Sequence, residues 1–216
     1  MLQAFGAGEV TSPDKPDGLD VNDGCGALHP EVAAQAVVER GCHLGLSLDG
    51  EADRGMLADR KGRVLDGDAI LAGLGVAMQK RGDLVEHTVV ATVMSNLALE
   101  RTLGAAGATL VRAQVGDKYV AQAMREGGFN LGGEKSGHIL FGEDHGFRGD
   151  GIYTLLRVMQ SLASDGLEPE TFAADYADLP QRLVNLEVTR RVPLEQLPTL
   201  QAVCSELEQE LGDRGR

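Results

Sequence analysis

An α/β architecture with layered, mixed sheets is expected for this chain, and three features carry that expectation. Strand-like stretches of period two alternate with helix-like stretches along most of the 216 residues. Glycine is abundant, at 29 residues, which suits many tight strand-to-helix turns. Trp is absent and aromatic residues make up 4%, so the core must be built from Leu, Val, Ile and Ala.

Each element has a local reason. MLQAFGA reads as the end of a helix. Pro30 to Arg40 is helical, with Pro near the first turn and Val32, Ala36 and Val37 on one face. Leu44 to Leu48 alternates as a strand and runs straight into Asp49. Ala69 to Lys80 carries Ile70, Leu71, Leu74, Ala77 and Met78 at helical spacing and ends before Gly82. Strand Thr88–Val93, helix Leu97–Ala106, strand Thr109–Arg112, helix Lys118–Glu126 and strand Phe129–Gly132 follow. Strand His138–Phe141 then leads through a Gly-rich loop to helix Ile152–Ser164. This rhythm implies that part of the sheet is parallel. After Leu179-Pro180 the pattern changes. Val184, Leu186 and Val188 alternate as a strand, and Pro193 starts a helix with Leu194, Leu197, Leu200, Cys204, Leu207 and Leu211 on one stripe. One strand and one helix cannot bury both of their faces, so this stretch reads as the opening of a further domain.

Charge and composition exclude several classes. There are 33 acidic against 20 basic side chains, a net charge of −13, with a pI near 4.7. Nucleic-acid backbones need clustered Lys and Arg, so they are poor partners. No run of ~18 apolar residues exists to span a bilayer. The N-terminal residues lack the basic start and apolar stretch of a secretory signal, which makes cytoplasm the expectation. Cys25, Cys42 and Cys204 lie far apart with no C-x-x-C pair, which argues against a disulfide framework and a zinc site.

Three constellations carry chemistry. Asp49, Glu51 and Asp53 stand at every second position of DGEADR, where a strand ends and Gly50 permits a sharp turn. Oxygen-only ligation of that kind suits Mg²⁺, and the carboxyl end of a strand is where open α/β sheets place ligands. A solvated acidic turn is the alternative. Calcium in an EF-hand is excluded, because loop positions six and twelve would be Arg54 and Arg60. The second constellation is GGEKSGH, residues 132–138, in which Glu134, Ser136 and His138 share one loop. Such a set can hydrogen-bond vicinal sugar hydroxyls, or it can be a polar hairpin without a ligand. The third is VGDKY, residues 115–119, where Asp117 is either an N-cap or an acid/base. Ser95 and Asn96 end another strand, and GDG at 149–151 opens a helix. A cap and a turn account for both.

These motifs, in this order, resemble those of the α-D-phosphohexomutase superfamily. DGEADR is similar to its metal loop and GEKSGH to its sugar loop. NDGCGALHPE, DGD at 66–68, VGDKYV and GDGI resemble further landmarks, and the likeness runs from about Pro16 to Arg216. Within the superfamily, GDKYV and GGEKSGHIL are most similar to the bacterial phosphoglucosamine mutases. The resemblance implies a partial second domain at 1–64, a whole third domain at 65–178 and the start of a fourth at 182–216. It places the catalytic phosphoserine of the first domain and the C-terminal phosphate-binding loop outside this sequence. One departure is that the family usually has Asp where this chain has Glu51.

By the same resemblance, the reaction moves phosphate between the 6- and 1-hydroxyls of glucosamine phosphate through glucosamine 1,6-bisphosphate, feeding UDP-N-acetylglucosamine and cell-wall synthesis. Mg²⁺ on Asp49, Glu51 and Asp53 would offset phosphoryl charge, and Arg54 would stabilise the transferring group. Glu134, Ser136 and His138 would contact the sugar, Ser95 and Asn96 would line the cleft, and Asp117 or Lys118 would transfer protons. The expected partner is a small phosphosugar, with neither nucleic acid nor membrane, and a homodimer is compatible with the complete protein. Sister mutases for mannose or glucose phosphates share this chemistry. A sugar-phosphate-binding fragment without turnover is the non-enzymatic alternative.

Overall fold

The computed structural model describes residues 23–185, 187–190, 192–193 and 196–215. The helix end read in MLQAFGA lies outside them, as do Leu186 and Leu194.

A small antiparallel sheet comes first. Strand β1 (Leu44–Leu48) pairs with β2 (Gly55–Asp59), Leu48 opposite Gly55, and β2 pairs with the two-residue β3 (Val64–Leu65). Helix α1 (Pro30–Arg40) covers one face through Ala34 and Val37 against Ala58. Neither β2 nor β3 stands out in the sequence. Met56, Leu57 and Ala58 show no polar alternation because both faces of β2 are covered.

The second sheet has the order β5-β4-β6-β7, from Thr109–Ala113, Thr88–Thr92, Leu131–Gly133 and Ile139–Phe141. Strand β4 is parallel to both β5 and β6, whereas β6 and β7 form an antiparallel hairpin. The sheet is therefore mixed and partly parallel, as expected. Every residue of β4 is buried, which fits a central strand with helices on both faces. Val90 faces Val120 and Met124 of α4 (Asp117–Gly127), while Val89 and Ala91 join a core with α2 (Gly67–Arg81) and α3 (Leu97–Ala105).

Helix α2 is the centre of the molecule. Eleven of its fifteen residues are buried, and they pack on Leu57 and Leu65 of the first sheet as well as Leu131 of the second. Helix α5 (Gly151–Asp165) completes this core through Leu155, Val158 and Leu162. Asp66 caps α2 by accepting from Ala69 N at 2.9 Å, and Asp150 caps α5 by accepting from Tyr153 N at 2.8 Å. Gly67 is required by proximity. A Cβ there would lie 1.9 Å from Glu134 O, so only glycine lets the helix start against that loop.

The C-terminal stretch differs from expectation. Val184 and Val188 are exposed at 58% and 63%, and the described residues around them form no strand, since no described strand takes up their backbone groups. Helix α6 runs Pro198–Leu211, so Pro198 and not Pro193 occupies its first turn. Among the described residues no helix is long and apolar enough to cross a membrane.

Candidate functional site

The loops singled out in the sequence leave the carboxyl ends of β1, β4, β5 and β6. DGEADR is the tip of the β1–β2 hairpin, closed by Ala52 N donating to Asp49 O and containing Ala52 at φ 59°. Asp49 is 7% exposed. It accepts from Arg54 N at 3.2 Å and from Arg54 Nε at 2.7 Å, with Arg54 Nη2 also at 2.7 Å. Burial works against its charge, but the Arg54 amide, Asp53 and the Arg54 guanidinium outweigh that and hold the carboxyl below the ordinary aspartate range. Asp53 is the opposite case. Burial and the neighbouring Asp49 carboxyl push it up, against the pull of His138.

Asp53 Oδ1 is enclosed without a hydrogen-bond partner among the described residues, 3.9 Å from Arg54 Nε, and its Oδ2 lies 3.3 Å from His138 Nδ1. Glu51 is exposed. The three carboxylates do not converge here. Arg54 occupies Asp49, and no group of three or more His, Cys, Asp or Glu side chains among the described residues is placed to hold a metal ion. An orphaned buried carboxylate oxygen beside a second ionised carboxylate is nevertheless the donor chemistry that a hard divalent cation takes.

The sugar-loop candidate, residues 134–138, is the tip of the β6–β7 hairpin, with Gly133 opposite Ile139. Glu134 N donates to His138 O and Gly137 N to Glu134 O, both at 3.0 Å. Neighbouring elements hold this tip through their backbones: Gly55 N donates to Gly137 O, and Gly67 N to Lys135 O. Gly151 N donates to Ala52 O, so α5 starts against the acidic loop. Glu134 Oε1 accepts from Gly116 N at 3.0 Å, which joins this tip to the VGDKY turn. Ser136 is exposed at the apex. His138 is buried, and its ring fits because Gly149 has no side chain. A Cβ at Gly149 would lie 2.3 Å from His138 Nε2.

Gly116, not Asp117, is the residue preceding α4, and Asp117 is the first helical residue, where a carboxylate favours the helix dipole. Asp117 and Lys118 are exposed, and the Lys118 ammonium lies 4.7 Å from the centre of the Tyr119 ring. Ser95 and Asn96 are almost fully buried. Asn96 Oδ1 accepts from Ala98 N and Leu179 N, while its Nδ2 donates to Leu179 O and Gln181 Oε1. That accounts for both of its amide donors and both of its acceptor sites. Ser95 Oγ lies beside the Asp68 carboxyl without meeting hydrogen-bond geometry. The structure also assembles groups that sequence reasoning left without a role: Lys135, Asp66, Asp68, Tyr176 and Asp178. The sequence signals were a lysine set between Glu134 and Ser136 and the DGD at 66–68, a landmark of the resemblance to which no role was attached.

The profile of the family described as "Phosphoglucomutase/phosphomannomutase, alpha/beta/alpha domain III" matches residues 66–181, more than half of the chain. The chain belongs to the phosphoglucomutase/phosphomannomutase family. It is 46% identical to a phosphoglucosamine mutase of Anaeromyxobacter sp. (strain Fw109-5), over 100% of this chain and 46% of that protein. It is 45% identical to one of Rhodococcus erythropolis (strain PR4 / NBRC 100887), over 99% of this chain and 48% of that protein. The chain thus spans about half the length of the curated relatives it matches. Among solved structures, an Aspergillus fumigatus N-acetylphosphoglucosamine mutase superposes with a TM-score of 0.66 at 24% identity, covering 88% of this chain and 45% of that one. The same fungal enzyme in complex with GlcNAc-6P and magnesium gives 0.60 at 26% identity, over 79% and 40%. The phosphoglucomutase/phosphomannomutase fold therefore accounts for the layered arrangement of α2 to α5.

Proposed function

We propose that these residues form the metal-binding and sugar-recognition part of a phosphoglucosamine mutase, a Mg²⁺-dependent isomerase that interconverts glucosamine 6-phosphate and glucosamine 1-phosphate through a phosphoserine and glucosamine 1,6-bisphosphate. One observation carries this reading: the DGEADR and GEKSGH tips are fastened together by Gly55 N to Gly137 O and by the Asp53–His138 pair. A cation site and a sugar site then share one edge of the fold. The names of the bacterial relatives and the fungal complex support the substrate class. We assign residues 1–64 to the second domain, 65–178 to the third and 182–216 to the start of the fourth.

Asp49, Asp53 and Glu51 would hold the cation, which offsets charge on phosphoryl oxygens when bound. Arg54, already beside Asp49, presents a guanidinium to the transferring group. Glu134 and Ser136 accept from and donate to sugar hydroxyls, and Asp117 or Lys118 moves the proton at the reacting hydroxyl. His138, which is buried, would act through Asp53 instead of touching sugar. The buried Ser95 and Asn96 would support the site through Asp68 and Leu179 instead of lining the cleft. Ser47 and Ser95 are buried, so neither is presented as a phosphoryl donor.

The 216-residue chain is titrated by NMR. Glucosamine 6-phosphate should shift Gly133–Gly137 and Asp117–Tyr119, and Mg²⁺ should shift Asp49–Arg54. No interconversion is expected from these residues alone. A stronger response to mannose 6-phosphate would assign the site to a sister mutase, and no response to any hexose phosphate would refute the reading.

A further inference from the structure

Lys135 stands between Glu134 and Ser136, yet its own ammonium is bonded elsewhere. It lies 2.6 Å from Asp66 Oδ2, 3.0 and 3.2 Å from the two oxygens of Asp178, and 3.6 Å from Asp68 Oδ2. Asp66 and Asp68 belong to the start of α2. Asp178 lies in the 176–181 strap, which begins at the core residue Tyr176, and it also accepts from Tyr176 OH. The same strap is gripped a second time. Leu179 bonds to Asn96 through both its N–H and its carbonyl, and Gln181 Nε2 donates to Met94 O. Asn96 N in turn donates to Asp68 Oδ2 at 2.7 Å.

These contacts close a ring from Lys135 to Asp178 and Leu179, on to Asn96 and Asp68, and back to Lys135. Resting on the reading of residues 134–138 as a sugar loop, we propose that Lys135 is a positioning residue that latches this loop to the 176–181 strap, so that the two order together. With the ammonium removed, Asp66, Asp68 and Asp178 would face one another as uncompensated carboxylates, one of them fully buried. Strap and loop would then separate instead of relaxing in place. Burial opposes the ammonium, but Asp66, Asp178 and Asp68 outweigh it and hold Lys135 above the usual lysine range, so the latch is charged at neutral pH. Because coupling is reciprocal, a sugar phosphate that orders the loop must also tighten the strap.

The test is amide hydrogen exchange in the full chain. Lys135→Met should speed exchange at Glu134, Gly137 and Leu179 together by about ten-fold or more, while amides of β4 keep wild-type rates. Asp178→Asn keeps the lysine and the loop sequence, so it remains informative if Lys135→Met folds poorly. It too should speed Glu134 and Gly137. Lys135→Arg should recover most of the protection, because the charge persists. Glucosamine 6-phosphate should slow Leu179 exchange in wild type but not in Lys135→Met. If Asp178→Asn loosens only the strap, or Lys135→Met leaves Leu179 unchanged, the latch is refuted. Should wild type ignore glucosamine 6-phosphate while loop and strap still exchange together, the latch stands and the sugar reading falls.

Discussion

Glu134 has two carboxylate oxygens, and among the described residues Oε1 takes the hydrogen bond, from Gly116 N at 3.0 Å. Glu134→Gln keeps an acceptor for that amide while removing the charge. If Glu134 holds a sugar hydroxyl as proposed, catalytic efficiency should fall about ten-fold in an active protein that contains these residues, or roughly 1.4 kcal/mol, with the melting temperature nearly unchanged. An equally active variant with a lowered melting temperature would make Glu134 structural. Asp178 supplies a pH test. Burial raises its carboxyl, but the Tyr176 hydroxyl and Lys135 outweigh that and hold it below the ordinary value. Its stabilising contribution is thus complete above the unfolded value, about 3.9, and is lost as pH falls through the lower folded one. The Asp178 carboxylate should therefore stay ionised at pH 5 and protonate only below about pH 4, as followed by its own carboxyl-carbon chemical shift, because Asp68, in the same ring, is pushed the other way by burial. Protonation between pH 7 and 5 would contradict the assignment. Residues within one short motif were legible in the sequence, because DGEADR and GEKSGH are contiguous. The Lys135–Asp178 pair was not, since its members stand 43 positions apart and no spacing rule joins them. Asn96 was legible as a cap and, by the resemblance, as a cleft residue. Its grip on Leu179, 83 positions away, is a tertiary fact.

Elements were legible where one face is apolar and an end is punctuated. Helices α1, α2, α3 and α5 carry Pro, Asp or Asn at their starts, and left-handed glycines follow α1, α2 and α5. Strand β2 was missed because both faces are covered, and β3 because two residues hold no period. The C-terminal strand was over-read, since alternation at Val184 and Val188 makes a strand only when a neighbour pairs with it. At this scale the junction of α2 with the 134–138 loop is the feature to test. Gly67→Ala would place a Cβ 1.9 Å from Glu134 O and 2.9 Å from Gly137 N, both backbone atoms that cannot swing aside. We expect a loss of about 1–3 kcal/mol in denaturant unfolding, together with shifted Glu134–Gly137 resonances. A variant with unchanged loop resonances would show that the helix start and loop are not in contact in solution.

Across the whole molecule, burial divides the chain unevenly. Leu57 and Leu65 of the small sheet, Val89 and Leu131 of the large one, and Leu71 and Leu74 of α2 belong to one continuous core. That core should unfold as one unit, because removing α2 would expose both sheets at once. Helix α6 stands apart. It has no buried residue, and Leu200, Val203, Leu207 and Leu211 are exposed at 47%, 46%, 50% and 38%. A helix of 14 residues is near the length at which an isolated helix is marginal in water, and among the described residues it buries no side chain in the tertiary packing that usually stabilises one. Exchange at Leu200–Leu211 should therefore run orders of magnitude faster than at Ile70–Met78, whose opening requires the global transition. Substituting Leu200 and Leu207 by Gln should leave the denaturation midpoint of the core within about 0.5 kcal/mol, as for other exposed positions. The same substitution at Leu71, which is 0% exposed, should abolish cooperative folding, because it buries an amide without partners in the shared core. Slow exchange throughout α6 in a monomeric sample would contradict this division and would mean that the apolar stripe packs on the core in solution.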